Sequence, residues 1–211
     1  YYIKLTPTER PFKASILIVH GFGEHCERWL KPAEVLARHG YVVHMYDQRG
    51  YGYSGGARFM TDMTQFHNDL ALMIRQCCPR LPCFIMGHSM GGLIVTSFLL
   101  HNPTLKIAGA IASSALFTLQ KGRHVDMMKV LLIRGAATIF PELIVNSMIN
   151  PCSLSKDLAI VKKVTHDPKI IPVTGPVTAY DLVVSNLYFL ERCPEFNYPI
   201  LLTHGDSDSV T

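Results

Sequence analysis

The sequence predicts an α/β protein, a mostly parallel sheet flanked by helices and interrupted by an inserted helical segment. Three observations predict it. Short apolar runs recur at residues 14–19 (ASILIV), 41–46 (YVVHMY), 83–86 (CFIM), 107–112 (IAGAIA) and 199–203 (PILLT). They have strand length, and their near-continuous apolar character suits strands covered on both faces. Stretches of helical spacing lie between them, an alternation that winds a parallel sheet through right-handed crossovers. The rhythm then stops from about residue 116 to 174, where helical pieces rich in Met, Leu and Ile carry no convincing strand.

In chain order, residues 1–5 alternate weakly and predict an edge strand before the turn bounded by Pro7 and Pro11. The strand at 14–19 ends in HGFGEH (residues 20–25). Residues 29–39 have helical spacing, and Gly40 closes that helix. After the strand at 41–46, DQRGYGYSGG (residues 47–56) is too glycine-rich for regular structure. A helix over about 62–77 places Phe66, Leu70 and Met73 on one face. Pro79 and Pro82 punctuate before the next strand, whose apolar run ends abruptly in Gly87-His88-Ser89-Met90-Gly91. An apolar helix follows, stopped by Asn102-Pro103. In the insert, VDMMKVLLIRGAATIF (125–140) and PELIVNSMI (141–149) read as helical pieces. The core resumes with a helix over about 176–192 and the strand at 199–203.

A chain of 211 residues can bury one sizeable core. Its 48% hydrophobic and 17% charged residues are those of a well-buried globular protein, not a disordered one. The net charge of +4 is mild and no Lys/Arg run exists, which excludes a nucleic-acid footprint and suits an anionic membrane surface better. Six cysteines (Cys26, Cys77, Cys78, Cys83, Cys152, Cys193) form no C-x-x-C and read as buried or free thiols in a reducing, cytoplasmic compartment. Nothing resembles a signal peptide or an 18-residue apolar span. The chain opens on Tyr1, so its natural N-terminus is expected to lie upstream. No His/Cys/Asp/Glu cluster has metal-ligand spacing, and no cofactor is expected.

The chemistry concentrates in G-x-S-x-G at residues 87–91. A serine on a sharp strand-to-helix turn has its Oγ lifted above the sheet edge, and side chains two residues either side would collide there. Gly87 and Gly91 occupy those places, and Gly92 lets the new helix pack against its strand. The helix N-terminus aims free N–H groups at the space over Ser89, where negative charge develops if the serine attacks a carbonyl. The glycines at 50–56 do not make a phosphate loop, because G-x-x-x-x-G-K-[ST] is missing and no helix follows promptly. Asp47 and Arg49 are expected to tie that loop down.

Four motifs, HGFGEH (20–25), YDQRGYGYSGG (46–56), MGHSMGG (86–92) and HGDSDSVT (204–211), together with SKDLAIVKKVTHDPKI (155–170), give the chain its resemblance to the α/β-hydrolase fold. Within that fold it resembles the monoacylglycerol lipase-like serine hydrolases. The resemblance implies Ser89 as nucleophile and, three residues after the glycine of HGDSD, Asp208 rather than Asp206 as the triad acid. It implies an oxyanion hole from the backbone N–H groups of Phe22 and Met90, a core at 1–115 and 176–211, and a helical cap at 116–175. The family's histidine follows the acid, whereas all ten histidines here precede Asp208, so the chain is expected to be truncated before it. His20 and His25 belong to the oxyanion loop, His88 is expected to point away, and His204 sits at a strand end. The implied reaction is hydrolysis of a lipid ester, monoacylglycerol foremost, through an acyl-enzyme. The alternatives are an acyltransferase, thioesterase or other carboxylesterase on the same serine, or an inactive lipid- or partner-binding protein. An apolar cap implies peripheral contact with a membrane or lipid droplet.

Overall fold

Six strands make the main sheet, and the helices between them fall where the spacing predicts. The computed structural model describes residues 1–78, 80–117, 127–147, 149–208 and 210–211. Strand β1 (Tyr2–Leu5) is followed by β2 (Ala14–Val19), which is buried along its whole length. After one 3₁₀ turn at Cys26–Trp29 come helix α1 (Leu30–Arg38) and strand β3 (Tyr41–Tyr46). Helix α2 (Met63–Cys77) opens on a capping box: Asp62 accepts from the Gln65 N–H, and the Gln65 side chain accepts from the Asp62 N–H. Strand β4 (Cys83–His88) leads through Ser89 into α3 (Met90–His101), and β5 (Gly109–Ser113) follows.

The sheet order is β1-β3-β2-β4-β5, with β1 antiparallel at one edge and the remaining pairs parallel. Helix α3 is apolar on every side because every side is covered. Its Leu93, Ile94, Val95 and Phe98 lie in one buried cluster with Phe66, Leu70 and Ile74 of α2 and Leu17 and Ile85 of the sheet. Strand β5 starts two residues later than predicted, where Gly109 pairs with Phe84.

The stretch after β5 departs most from expectation. Helix α4 (Met127–Ile139) forms as predicted, while residues 118–126 at its approach lie outside the described residues, as do Pro79, Met148 and Ser209. The predicted helix at 141–149 is not one. Pro141 lacks an N–H donor and restricts Phe140, and the β-branched pair Ile144-Val145 favours extended backbone. Strand β6 (Val145–Asn146) forms there instead, and after α5 (Leu158–His166) it pairs antiparallel with β7 (Val173–Thr174). Helix α6 (Pro176–Arg192) starts on a proline whose missing N–H costs nothing at that position, and β8 (Ile200–Thr203) pairs parallel with β5.

The cysteine expectation is corrected. Cys78 and Cys83 form a disulfide across the connection from α2 to β4, their Cα atoms 5.5 Å apart. The reversal of the chain between helix and strand brings them together, which a spacing of five does not advertise. Cys26 and Cys77 are buried free thiols, and Cys152 and Cys193 are exposed.

One half-buried histidine contributes to an acid limit of the fold. His67 of α2 lies between α2 and α3, its Nε2 2.9 Å from Ser97 Oγ, with the His101 ring at 5.7 Å. Burial first, and the neighbouring His101 second, push it down to about 4. The denatured chain protonates this histidine near its ordinary value, so stability is complete above about pH 6.5 and falls as pH drops toward 4. The loss from this group should reach about 2–3 kcal/mol by pH 4.5. Denaturant midpoints at pH 7 and 4.5 should show His67→Gln with a smaller acid loss than the parent. An equal loss in both proteins would refute the assignment.

Candidate active site

Ser89 has φ +51 and ψ −119, a left-handed backbone that a non-glycine residue adopts only when its surroundings hold it. Those surroundings are visible. The Ser89 N–H donates to the Ser113 carbonyl at 3.0 Å, and the Ser89 carbonyl accepts from Gly92, Leu93 and Leu116 at 2.9, 3.2 and 3.1 Å. A Cβ on Gly87 would lie 2.2 Å from the Gly91 carbonyl oxygen, and one on Gly91 would lie 2.3 Å from that of Val19. Both predicted glycine positions are therefore sterically required. Gly92 is required too: a Cβ there would meet Ala115, in the turn leaving β5, at 2.5 Å, and the Gly87 carbonyl oxygen of its own strand at 3.3 Å.

Because the atoms facing Gly91 are β2 backbone, they cannot swing aside. Gly91→Ala should cost about 3 kcal/mol, lowering the thermal midpoint by about 6–12 °C. Gly55→Ala, with nothing within 4 Å of its added Cβ, should leave the midpoint within about 2 °C. Equal midpoints for the two variants would show that the turn is looser than its contacts.

The loop after β2 is held by a buried carboxylate. Glu24 accepts the Gly21 N–H at 2.6 Å, Arg28 Nη1 at 2.5 Å and Trp29 Nε1 at 3.3 Å. Burial alone would raise its pKa, but Arg28 and the nearby histidines hold it below the usual carboxylate range. His20 is fully buried, and burial pushes its pKa down. Its Nε2 accepts the Gln48 N–H at 3.0 Å, which leaves Nδ1 to donate to the Gly21 carbonyl at 2.8 Å. Asp47 ties its own loop down as expected, accepting the N–H groups of Cys26 and Tyr53 at 2.7 and 2.8 Å. Arg49 does so through a two-pronged pair with Asp69 at 2.6 and 2.7 Å.

A cavity of about 260 Å³ opens over Ser89. Phe22 borders it from the loop after β2, while Met90, which follows Ser89 as the first residue of α3, is fully buried. Among the described residues neither amide donates to a loop or turn acceptor. Ile149, Leu154, Val164 and Ile170 wall the cavity from the stretch between β5 and α6, and Glu24 and Arg28 give it one charged corner.

The loop after β8 reaches the same cavity through Val210. Asp208 Oδ1 accepts the N–H groups of Val210 and Thr211 at 2.8 and 3.0 Å, and Oδ2 accepts Thr211 Oγ1 at 3.0 Å. Burial would raise its pKa, and these donors outweigh that and lower it. Among the described residues Asp206 has the neighbouring Ser207 hydroxyl at 3.1 Å as its hydrogen-bond partner. Of the two carboxylates, Asp208 is the one its loop is built around.

His88, expected to point away, has its ring against Trp29. It lines the cavity beside Ser89, its ring 5.2 Å from that of Trp29 and its Nδ1 buried with no partner among the described residues. His25 and His20 are structural, and His204 lies 3.5 Å from Asp208 Oδ2. Two features went unread in the sequence. The Glu24–Arg28 pair has the i,i+4 spacing that could have revealed it. The 2.9 Å contact of His25 Nε2 with Asp167 spans 142 residues and left no local signal.

The family model described as serine aminopeptidase, S33 (Hydrolase_4) matches residues 10–211. A putative monoglyceride lipase of Schizosaccharomyces pombe is 29% identical over 209 residues, covering 94% of this chain and 54% of that protein. The monoglyceride lipase of Rattus norvegicus is 30% identical over 203 residues, covering 94% of this chain and 66% of that protein. The chain thus spans about half to two thirds of the length of these relatives. The crystal structure of Paleococcus ferrophilus monoacylglycerol lipase superposes with a TM-score of 0.88 at 27% identity, covering 100% of this chain and 79% of that one.

Proposed function

The chain belongs to the serine aminopeptidase S33 family of α/β-hydrolases, as a monoacylglycerol lipase-like member, and from that premise we propose that it hydrolyses monoacylglycerol to fatty acid and glycerol. The observation that carries the reading is a serine on a strained turn, opening into a cavity whose far wall is aliphatic. Ser89 Oγ attacks the ester carbonyl. The Phe22 and Met90 amides receive the oxyanion, each worth about 10²–10³ in rate when aligned with it. Glycerol leaves, and water releases the fatty acid from the serine. Asp208 orients the histidine that takes and returns the proton. In the family pattern this base is a histidine that follows the acid.

In this reading residues 116–175 form a cap, and its outer face is the part that meets lipid. Met128, Leu132 and Phe140 are 64%, 67% and 63% exposed. No helix among the described residues is long and apolar enough to cross a membrane, so the contact proposed is peripheral.

The test is fatty-acid release from 1-monooleoylglycerol by the full-length protein, with a fluorophosphonate probe run in parallel. Turnover, a probe adduct on Ser89 and no cleavage of an aminoacyl amide are expected. An unlabelled serine, or a labelled one that leaves the glycerol ester intact, would overturn the proposal.

A further inference from the structure

The chain returns from the cap to α6 along the loop after β2, and residues 167–172 are fastened to that loop at several points. The Ile171 N–H donates to the Gly23 carbonyl at 2.9 Å. Asp167 Oδ2 meets His25 Nε2 at 2.9 Å, while Oδ1 accepts the Lys169 N–H at 2.9 Å and so shapes the turn. Lys169 Nζ pairs with Glu27 and lies 4.7 Å above the Tyr53 ring. Gly23 itself has φ +69, and a Cβ there would stand 3.1 Å from the Ile171 carbonyl oxygen. Phe22 is thus bracketed. Before it, the Gly21 N–H is bound by Glu24, and after it the Gly23 carbonyl is bound by the cap. Ile170 and Pro172 of the same stretch line the cavity.

We propose that residues 167–172 clamp the Phe22 amide in place, with Asp167 and Lys169 as positioning residues, so that this donor is aligned only while the cap's return segment is seated. The inference rests on the reading of Phe22 as an oxyanion donor. Magnitudes favour an effect on rate over one on stability. Lys169 and Glu27 are each about a quarter exposed, and such ion pairs contribute little to folding. A displacement near 1 Å at an aligned donor, by contrast, can cost up to about 10²-fold in rate.

The experiment compares the full-length parent with Lys169→Met, Asp167→Asn and the charge-exchanged double variant Glu27→Lys/Lys169→Glu. In both single variants, kcat for 1-monooleoylglycerol should fall about tenfold with KM unchanged. The Ki of an acyl trifluoromethyl ketone, which forms a tetrahedral oxyanion on the serine, should rise by about the same factor. Hydrogen exchange of residues 20–28 should quicken roughly threefold to fivefold in Lys169→Met, the size expected for losing a partly exposed ion pair, and the double variant should restore it. Unchanged exchange, or a KM increase at constant kcat, would overturn the clamp. A parent without esterase activity would overturn the proposed function instead, and exchange would still decide whether the clamp exists.

Discussion

Replacing Ser89 with alanine should reduce monooleoylglycerol turnover by about 10⁶-fold, to the background that binding and the oxyanion amides sustain without a nucleophile. It should do so without unfolding the protein. Ser89 stands at the N-cap of α3 but makes no side-chain capping bond, so removing Oγ exposes no orphan donor. What holds the turn is backbone: the Ser89 N–H on Ser113, and the Ser89 carbonyl shared among three amides. Alanine has the same Cβ and meets the same strain at φ +51. The thermal midpoint should therefore stay within about 2 °C of the parent. Both measurements matter, since lost activity with a lowered midpoint would indict the fold. Activity within tenfold of the parent would mean that another group attacks the ester.

Such independence of side chain from scaffold explains why the elbow was legible in the sequence. Gly87 and Gly91 are demanded by clashes with backbone within a few residues or on the adjoining strand, and a short pattern records that demand. Strands β2 and β3 were legible because both of their faces are covered and each carries a near-continuous apolar run. Residues 141–149 were misread because an apolar run of that length fits helix or strand equally, and the pairing of β6 with β7 that decides it is a tertiary contact. The disulfide and the His25–Asp167 contact join residues that only tertiary structure brings together.

The choice between Asp208 and Asp206 yields the second large effect. Asp208→Asn should lower kcat about 10⁴-fold with little change in KM, because the amide offers an N–H where a histidine needs an acceptor. The fold should tolerate it. One side-chain oxygen survives to accept the N–H groups of Val210 and Thr211, now held on Oδ1 at 2.8 and 3.0 Å. Among the described residues Asp206→Asn loses a contact with the Ser207 hydroxyl, and it should change kcat by about twofold at most, the size of an ordinary surface substitution. The pH profile carries an independent sign. Although burial would raise the Asp208 pKa, the surrounding donors lower it, so the carboxylate stays ionised throughout the weakly acidic range. The acid limb of kcat/KM should consequently report protonation of the histidine it orients, well above the carboxylate range. A 10⁴-fold loss in Asp206→Asn and none in Asp208→Asn would move the acid two residues back. It would also imply that the loop after β8 is rebuilt when the histidine is bound.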